Sequence, residues 1–277
     1  MAKGIGLIGN FKGKVGNMVG YKLSDSNTGN TQGIRVYQPI VRNPKTSAQA
    51  EQRAKLAPIN ATYRALKMII DRGNEGLPYG NKSRLAWLKQ AFKAKNMPWI
   101  VKGGVIGFPV GCPLTKGSLA GVAIEVGDDD FFIECSGLAD STTLTTIGAV
   151  STALKAAYPF LKDGDQITVV IVGQFGGTLA SDIFSFEIDT TSTEATSKFG
   201  AQTNKITVAS DLYKLGGAVI VSREGANGEH LRSTTSIQIN ADTLGDAPYD
   251  ATSKAAAIES YMSSASANAD WAEESIQ

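Results

Sequence analysis

The apolar pattern of this chain changes period near residue 104, and that change limits what the chain can fold into. Before it, apolar residues recur at helical spacing; after it, they gather in short runs separated by turn residues. Thr46-Ser47-Ala48-Gln49, just after Asn43-Pro44, fits a capping box in which Thr46 bonds the third helical amide and Gln49 reaches back. Leu56, Ile59, Tyr63, Leu66 and Ile70 follow at spacings of three or four, one stripe of a helix reaching about Asp71. Pro58 lies inside that stripe and is expected to kink the helix, because it removes a backbone donor and crowds the preceding turn. After turn chemistry from Gly73 to Gly80, a second amphipathic helix is expected from about Lys82 to Lys95, with Leu85, Leu88 and Phe92 facing inward.

Past residue 104 the expectation is strands near 121–126, 131–135, 166–172, 183–188, 218–223 and 234–239, interrupted by a helix over about 144–160. Gly225-Ala226-Asn227-Gly228 has the chemistry of a hairpin turn and is expected to pair the last two strands. A short Ala- and Ser-rich helix over 252–262 precedes an acidic tail. The first 33 residues hold eight glycines and little side-chain volume for a core. Near two-residue alternation over 15–23 and 34–40 flanks a polar run, the pattern of a long hairpin. A lone hairpin is marginal in water, so this arm is expected to dock on a sheet, its own or a neighbour's. The fold class is α+β: a glycine-rich β-hairpin arm (1–42), kinked amphipathic helices in a basic region (43–103), a mainly antiparallel β-rich body (104–250), and a short helix with an acidic tail (251–277).

Charge follows the same division. Residues 1–103 carry 18 Lys and Arg against 4 Asp and Glu, whereas residues 104–277 carry 9 against 22, so a total of +1 conceals two opposed halves. The basic set is Lys12, Lys14, Lys22, Arg35, Arg42, Lys45, Arg53, Arg64 and Lys67, continued by lysines and arginines up to Lys102. Phe11, Tyr21, Tyr37, Tyr63, Trp87, Phe92 and Trp99 are interleaved with it, which suits phosphate contact with base stacking on DNA or RNA. A second reading is that the lysines solvate helix faces while Tyr63, Phe92 and Trp87 pack inside. A third is that the basic arm binds the acidic half of a neighbouring copy, giving head-to-tail assembly.

Catalytic and metal chemistry find little support. His230 is the only histidine and sits near a turn, and one His with Cys112 and Cys135 lacks a zinc-ligand spacing. Asp128-Asp129-Asp130 cannot aim three consecutive side chains at one cation. Gly9-Asn10-Phe11-Lys12-Gly13-Lys14 has three residues between its glycines and Val15 after the lysine, so it fails as a P-loop. Asp163 with Asp165, and Glu273 with Glu274, lie in polar runs and are expected at the surface. The two cysteines are expected reduced and buried. No cofactor, metal or catalytic residue is expected, and a carboxylate hydrolase ranks behind the other readings. No signal-peptide core or apolar run of about 20 residues is present, so synthesis in the cytoplasm without membrane insertion is expected.

Gly13-Lys14-Val15-Gly16-Asn17-Met18-Val19-Gly20, then Arg35-Val36, then Asn43-Pro44-Lys45-Thr46 with Gln49 and Gln52-Arg53, resemble the signature of an uncharacterised domain family of gut anaerobes and their phages. The likeness covers about residues 9–70, with a fainter one at Ala218-Val219-Ile220-Val221-Ser222. It implies no catalytic residues. It does imply context: a virion structural or assembly protein, made in the host cytoplasm, whose partners are its own copies or other virion proteins. DNA or RNA is the alternative partner.

Overall fold

The computed structural model describes residues 13–23, 31–37, 46–94, 96–102, 109, 111–127, 131–175, 178–210, 212, 214–226, 228–239 and 249–266, and the chain divides into two units, Met1–Pro44 and Lys45–Gln277. The first unit holds three antiparallel strands in the order β1 (Gly13–Val15), β2 (Met18–Leu23), β3 (Thr31–Val36). The alternation over 15–23 belongs to two strands rather than one, because the chain reverses at Gly16-Asn17, where Gly16 takes φ +58°. That φ is open to glycine at little cost. Pairing of β2 with β3 runs from Met18 opposite Val36 to Leu23 opposite Thr31.

The second unit begins with α1 (Ser47–Ala65), α2 (Lys67–Ile70) and α3 (Asn81–Ala91), then β4 (Pro113–Thr115), β5 (Ile124–Val126), β6 (Phe131–Glu134) and α4 (Ile147–Ala157). It continues with β7 (Gln166–Phe175), β8 (Thr178–Glu187), β9 (Phe199–Gln202), β10 (Lys205–Val208), β11 (Lys214–Glu224) and β12 (His230–Arg232). The last elements are β13 (Thr235–Ser236), β14 (Gln238–Ile239) and α5 (Ala251–Ser266). The central antiparallel sheet has the order β12-β11-β7-β8, with β14 also on β11; a smaller sheet runs β5-β6-β10-β9, and β13 pairs β4.

Strands β7 and β11 are buried on both faces, so they read as continuous apolar runs rather than alternating ones. Ile167, Val169, Ile171, Val219 and Val221 face a core built with β6, β10 and α4, while Val170, Val172, Ala218 and Ile220 face a second core beneath α1, α2 and α3. Gly217 in β11 leaves room for the Phe131 ring, which a Cβ there would strike. Asp165, 1% exposed, is held by both Arg223 Nε and Nη2 at 2.6 Å, and the same Nη2 donates to Phe160 O at 2.8 Å. Asp165 is therefore no surface charge, unlike Asp163, which pairs with Lys155 at 2.8 Å in the open.

Several local expectations are corrected. Helix α1 continues through Pro58, whose carbonyl accepts the Thr62 hydroxyl at 2.9 Å, and the single helix expected to reach about Asp71 is interrupted at Leu66 (φ −114°, ψ 22°). Thr46 caps α1 through Gln49 N at 3.3 Å, but Gln49 Oε1 is buried with no partner among the described residues, so only half of the capping box forms. Leu56 is exposed, whereas Ile59, Leu66 and Ile70 are fully buried. Helix α3 presents Ser83, Trp87 and Ala91 to the core, leaving Leu85 and Phe92 outside and Leu88 partly buried. Polar pairing sets that rotation: Ser83 Oγ donates to Ile70 O at 2.7 Å, and Asn74 Nδ2 donates to Ser83 O at 3.1 Å. The 225–228 turn joins β11 to β12, while the 234–239 stretch splits between β4 and β11.

Candidate interaction surfaces

Within the second unit the charge separates across the central sheet. The described residues of 46–102, which form the helical layer, carry 10 Lys and Arg against 3 Asp and Glu. The described residues of 117–212, which supply β7, β8 and the opposite layer, carry 4 against 9. The helices share a core with the strands, so the body is itself polarised, a basic face set against an acidic one.

The expected site residues are divided between the two units. Lys14 lies on β1 with its Nζ 3.7 Å from the Tyr37 ring, a cation–π pair inside the arm. Lys22 and Arg35 occupy β2 and β3. Lys12, Arg42 and Lys45 lie outside the described residues. Arg53 and Arg64 are exposed on one face of α1, 11 residues or about 16 Å apart along the axis, and Lys67 is exposed at the start of α2. None of these three makes an ion pair among the described residues. Lys55 does, with Glu51 at 3.1 Å; Glu51 also takes Lys254 of α5 at 3.1 Å, and these two lysines hold its carboxyl below its usual value.

Phe11 and the side chain of Tyr21 lie outside the described residues, and most of the other interleaved aromatics are engaged within the protein. Trp87 is buried; Tyr63 donates its hydroxyl to Asp71 at 3.0 Å with the Arg84 guanidinium 4.5 Å from its ring. Trp99 is half-buried with the amines of Lys55 and Lys254 at 5.5 and 5.0 Å. Tyr37 and Phe92 remain exposed.

Of the enzyme-like groups, His230, Glu75 and Arg232 line one cavity, whereas the two cysteines lie elsewhere. His230 is exposed, its ring 6.0 Å from that of Tyr79, beside a cavity of about 280 Å³ whose lining contains no Ser, Thr or Cys. Cys112 and Cys135 are free and buried; burial pushes the Cys112 thiol up to about 12, which removes it as a nucleophile. No group of three metal-ligating side chains occurs among the described residues. Asp128-Asp129-Asp130 and Glu273-Glu274 lie outside them.

One carboxylate went unread in the sequence. Glu75 accepts the amides of Ser118 at 2.9 Å and Arg232 at 3.1 Å, together with the Ser118 hydroxyl at 2.9 Å. Burial alone would raise its pKa, but those donors hold it below the usual value. A Cβ at Gly117 would strike the Arg232 backbone and this carboxylate, so a lone glycine makes the seat. Its spacing from Glu75 carries no signal that sequence could expose. The arrangement ties the 74–80 turn to the strand segments, and Glu75 lines cavities of about 510 and 280 Å³.

Two surfaces stand out by exposure. On the arm, Met18 and Val36 form an apolar cross-strand pair, 40% and 73% exposed. On the body, β8 ends the central sheet, and its outer edge makes no backbone hydrogen bond among the described residues. Beside β8 lies a groove of about 490 Å³ lined by Phe184, Phe186, Phe199, Glu187, Glu194 and Lys198, among others. Comparison of the chain with protein-family models, with curated proteins and with solved structures finds no match. Among the described residues no helix is long and apolar enough to cross a membrane.

Proposed function

We propose that this protein is a virion structural or assembly component of phage type, non-enzymatic, that self-associates through its basic N-terminal arm. The reading rests on the arm being a separate small sheet that carries an exposed apolar pair, Met18 and Val36, on paired strands. A three-stranded sheet of short, glycine-rich strands buries little of its own and gains by adding to another sheet edge, where backbone bonds supply affinity without large side chains. Residues 1–44 carry 6 Lys and Arg against 1 Asp, while the remainder carries 21 against 25, so charge favours a neighbouring copy over repelling it. The resemblance at Gly13 to Gly20 and Asn43 to Thr46 supplies the phage context. Deleting residues 1–42 is expected to leave a folded protein that no longer assembles at about 0.5 M salt, as read by sedimentation velocity; assembly there equal to that of the full chain would overturn the proposal.

Nucleic acid is the second reading, favoured by Arg53 and Arg64 on one helix face, neither with an ion pair among the described residues. It requires DNA or RNA affinity that falls steeply with salt, roughly in proportion to the phosphates neutralised. Absence of binding at about 50 mM salt excludes it.

A further inference from the structure

The outward face of α3 is unusual for a helix packed on a sheet. Leu85 and Phe92, seven residues apart, lie on it 55% and 37% exposed. Lys82, Lys89 and Lys93 flank them, all exposed and without an ion pair among the described residues. An apolar stripe with a basic border on a helix is the half of an interface that seeks an apolar surface with an acidic border.

The opposite layer holds an acidic-bordered groove whose lining mixes phenylalanine rings with Gln166, Ser185, Ser192 and Thr196. The groove beside β8 is lined by Phe184 and Phe186, half-buried, which pack edge-to-face on Phe199 at 5.8 and 5.3 Å between ring centroids. Glu187 and Glu194 border it, both exposed. Lys198, also in the lining, has its Nζ 3.8 Å from Asp182, so its charge is already matched. Helix and groove lie on opposite faces of the central sheet, α3 above one core and the β8–β9 groove above the other. They therefore cannot meet within one copy.

We propose that the α3 face of one copy docks in the β8–β9 groove of a second copy, Leu85 and Phe92 against the phenylalanines and Lys82 and Lys89 against Glu187 and Glu194. The occupant is a second copy because the matching surface is present on this chain with opposite charge. Since the two surfaces differ, the contact is head-to-tail, and each copy offers one free face and one free groove for the next. Such contacts propagate into filaments or close into rings. The inference rests on the reading that the protein self-associates, but the contact is separate from the arm.

The test uses the full chain at about 50 mM and about 0.5 M salt, since a contact bordered by charge weakens with screening whereas backbone strand pairing does so far less. Sedimentation velocity over a concentration series gives the association constant at each salt. The wild type is expected to associate roughly 10-fold more tightly at low salt. K82E/K89E and E187K/E194K should each abolish that gain, and the four-residue charge swap should restore it to within about 3-fold. Circular dichroism melts check folding, and the neutral K82Q/K89Q should lose part of the gain if the reversals unfold the chain. A gain that survives both reversals, or a swap no tighter than either reversal alone, overturns the docking. Association independent of salt overturns the docking and leaves the arm reading standing; a chain monomeric at both salts overturns both.

Discussion

The arm and the body are both built on antiparallel strands, yet they are held by different means. In the body, β7 and β11 present apolar side chains to cores on both faces, and Ile167, Val169, Val170, Ile171 and Val172 are fully buried. In the arm, β2 and β3 pair over six residues, but Met18 and Val36 at the end of that ladder stay in solvent. Backbone pairing is therefore common to the two, and burial is not. Since a hydrogen bond contributes only about 1 kcal/mol net, burial decides which region is stable by itself and which gains from a partner.

This contrast can be broken by perturbations that ought to act on one region alone. The largest effect is expected from Arg223→Ala, which leaves the buried Asp165 carboxylate uncompensated and should cost about 3–5 kcal/mol. For a unit of this size that lowers Tm by roughly 10 °C, with association at temperatures below the transition unchanged. Gly217→Ala comes next: the new methyl meets the Phe131 ring, and overpacking should cost about 1–3 kcal/mol in a thermal melt. A Tm unaltered by either substitution would mean that the body does not rely on its two cores.

Glu75→Gln should cost about 1–2 kcal/mol near neutral pH, because charge-assisted bonds to Ser118 and Arg232 become neutral ones. The sign of its pH dependence follows from the lowered pKa. A carboxyl held below 4.5 when folded contributes its full stability above that value and loses it as pH falls through the folded pKa. In E75Q the acid limb of the stability profile should therefore flatten below about pH 4.5, measured by chemical denaturation at stepped pH. The smallest effect on the body is expected from Gly16→Ala, which strains the φ +58° turn of the arm by about 1 kcal/mol yet should leave the main melting transition in place.

Most of the architecture was legible where periodicity was strong. The runs around β6, β7 and β11, the Thr46 cap and the stripe of Ile59, Leu66 and Ile70 announced themselves, since burial on a fixed face writes a repeating pattern. The rotation of α3 did not: its inward face is Ser83, Trp87 and Ala91, two of them small, and a buried serine bonded to Ile70 leaves no hydrophobic trace. Strands β9 and β10 were missed because each is only four residues long, too short for a period to stand out, and β9 carries only one large apolar side chain. The charge division was visible, but its meaning was not, because sequence could not place the basic helices and the acidic strands on opposite faces of one sheet. Which cations stay free is likewise a matter of three dimensions, as Lys55 pairs with Glu51 while Arg53 does not.

The central claim is that the arm drives self-association, and the most direct measurement is sedimentation velocity of the full chain beside the protein lacking residues 1–42. Both would be run at about 0.5 M salt, where a contact between charged faces is screened. The account predicts that the full chain sediments as an oligomer and the shortened protein as a monomer with the same melting transition. A shortened protein that still assembles as the full chain does would contradict it.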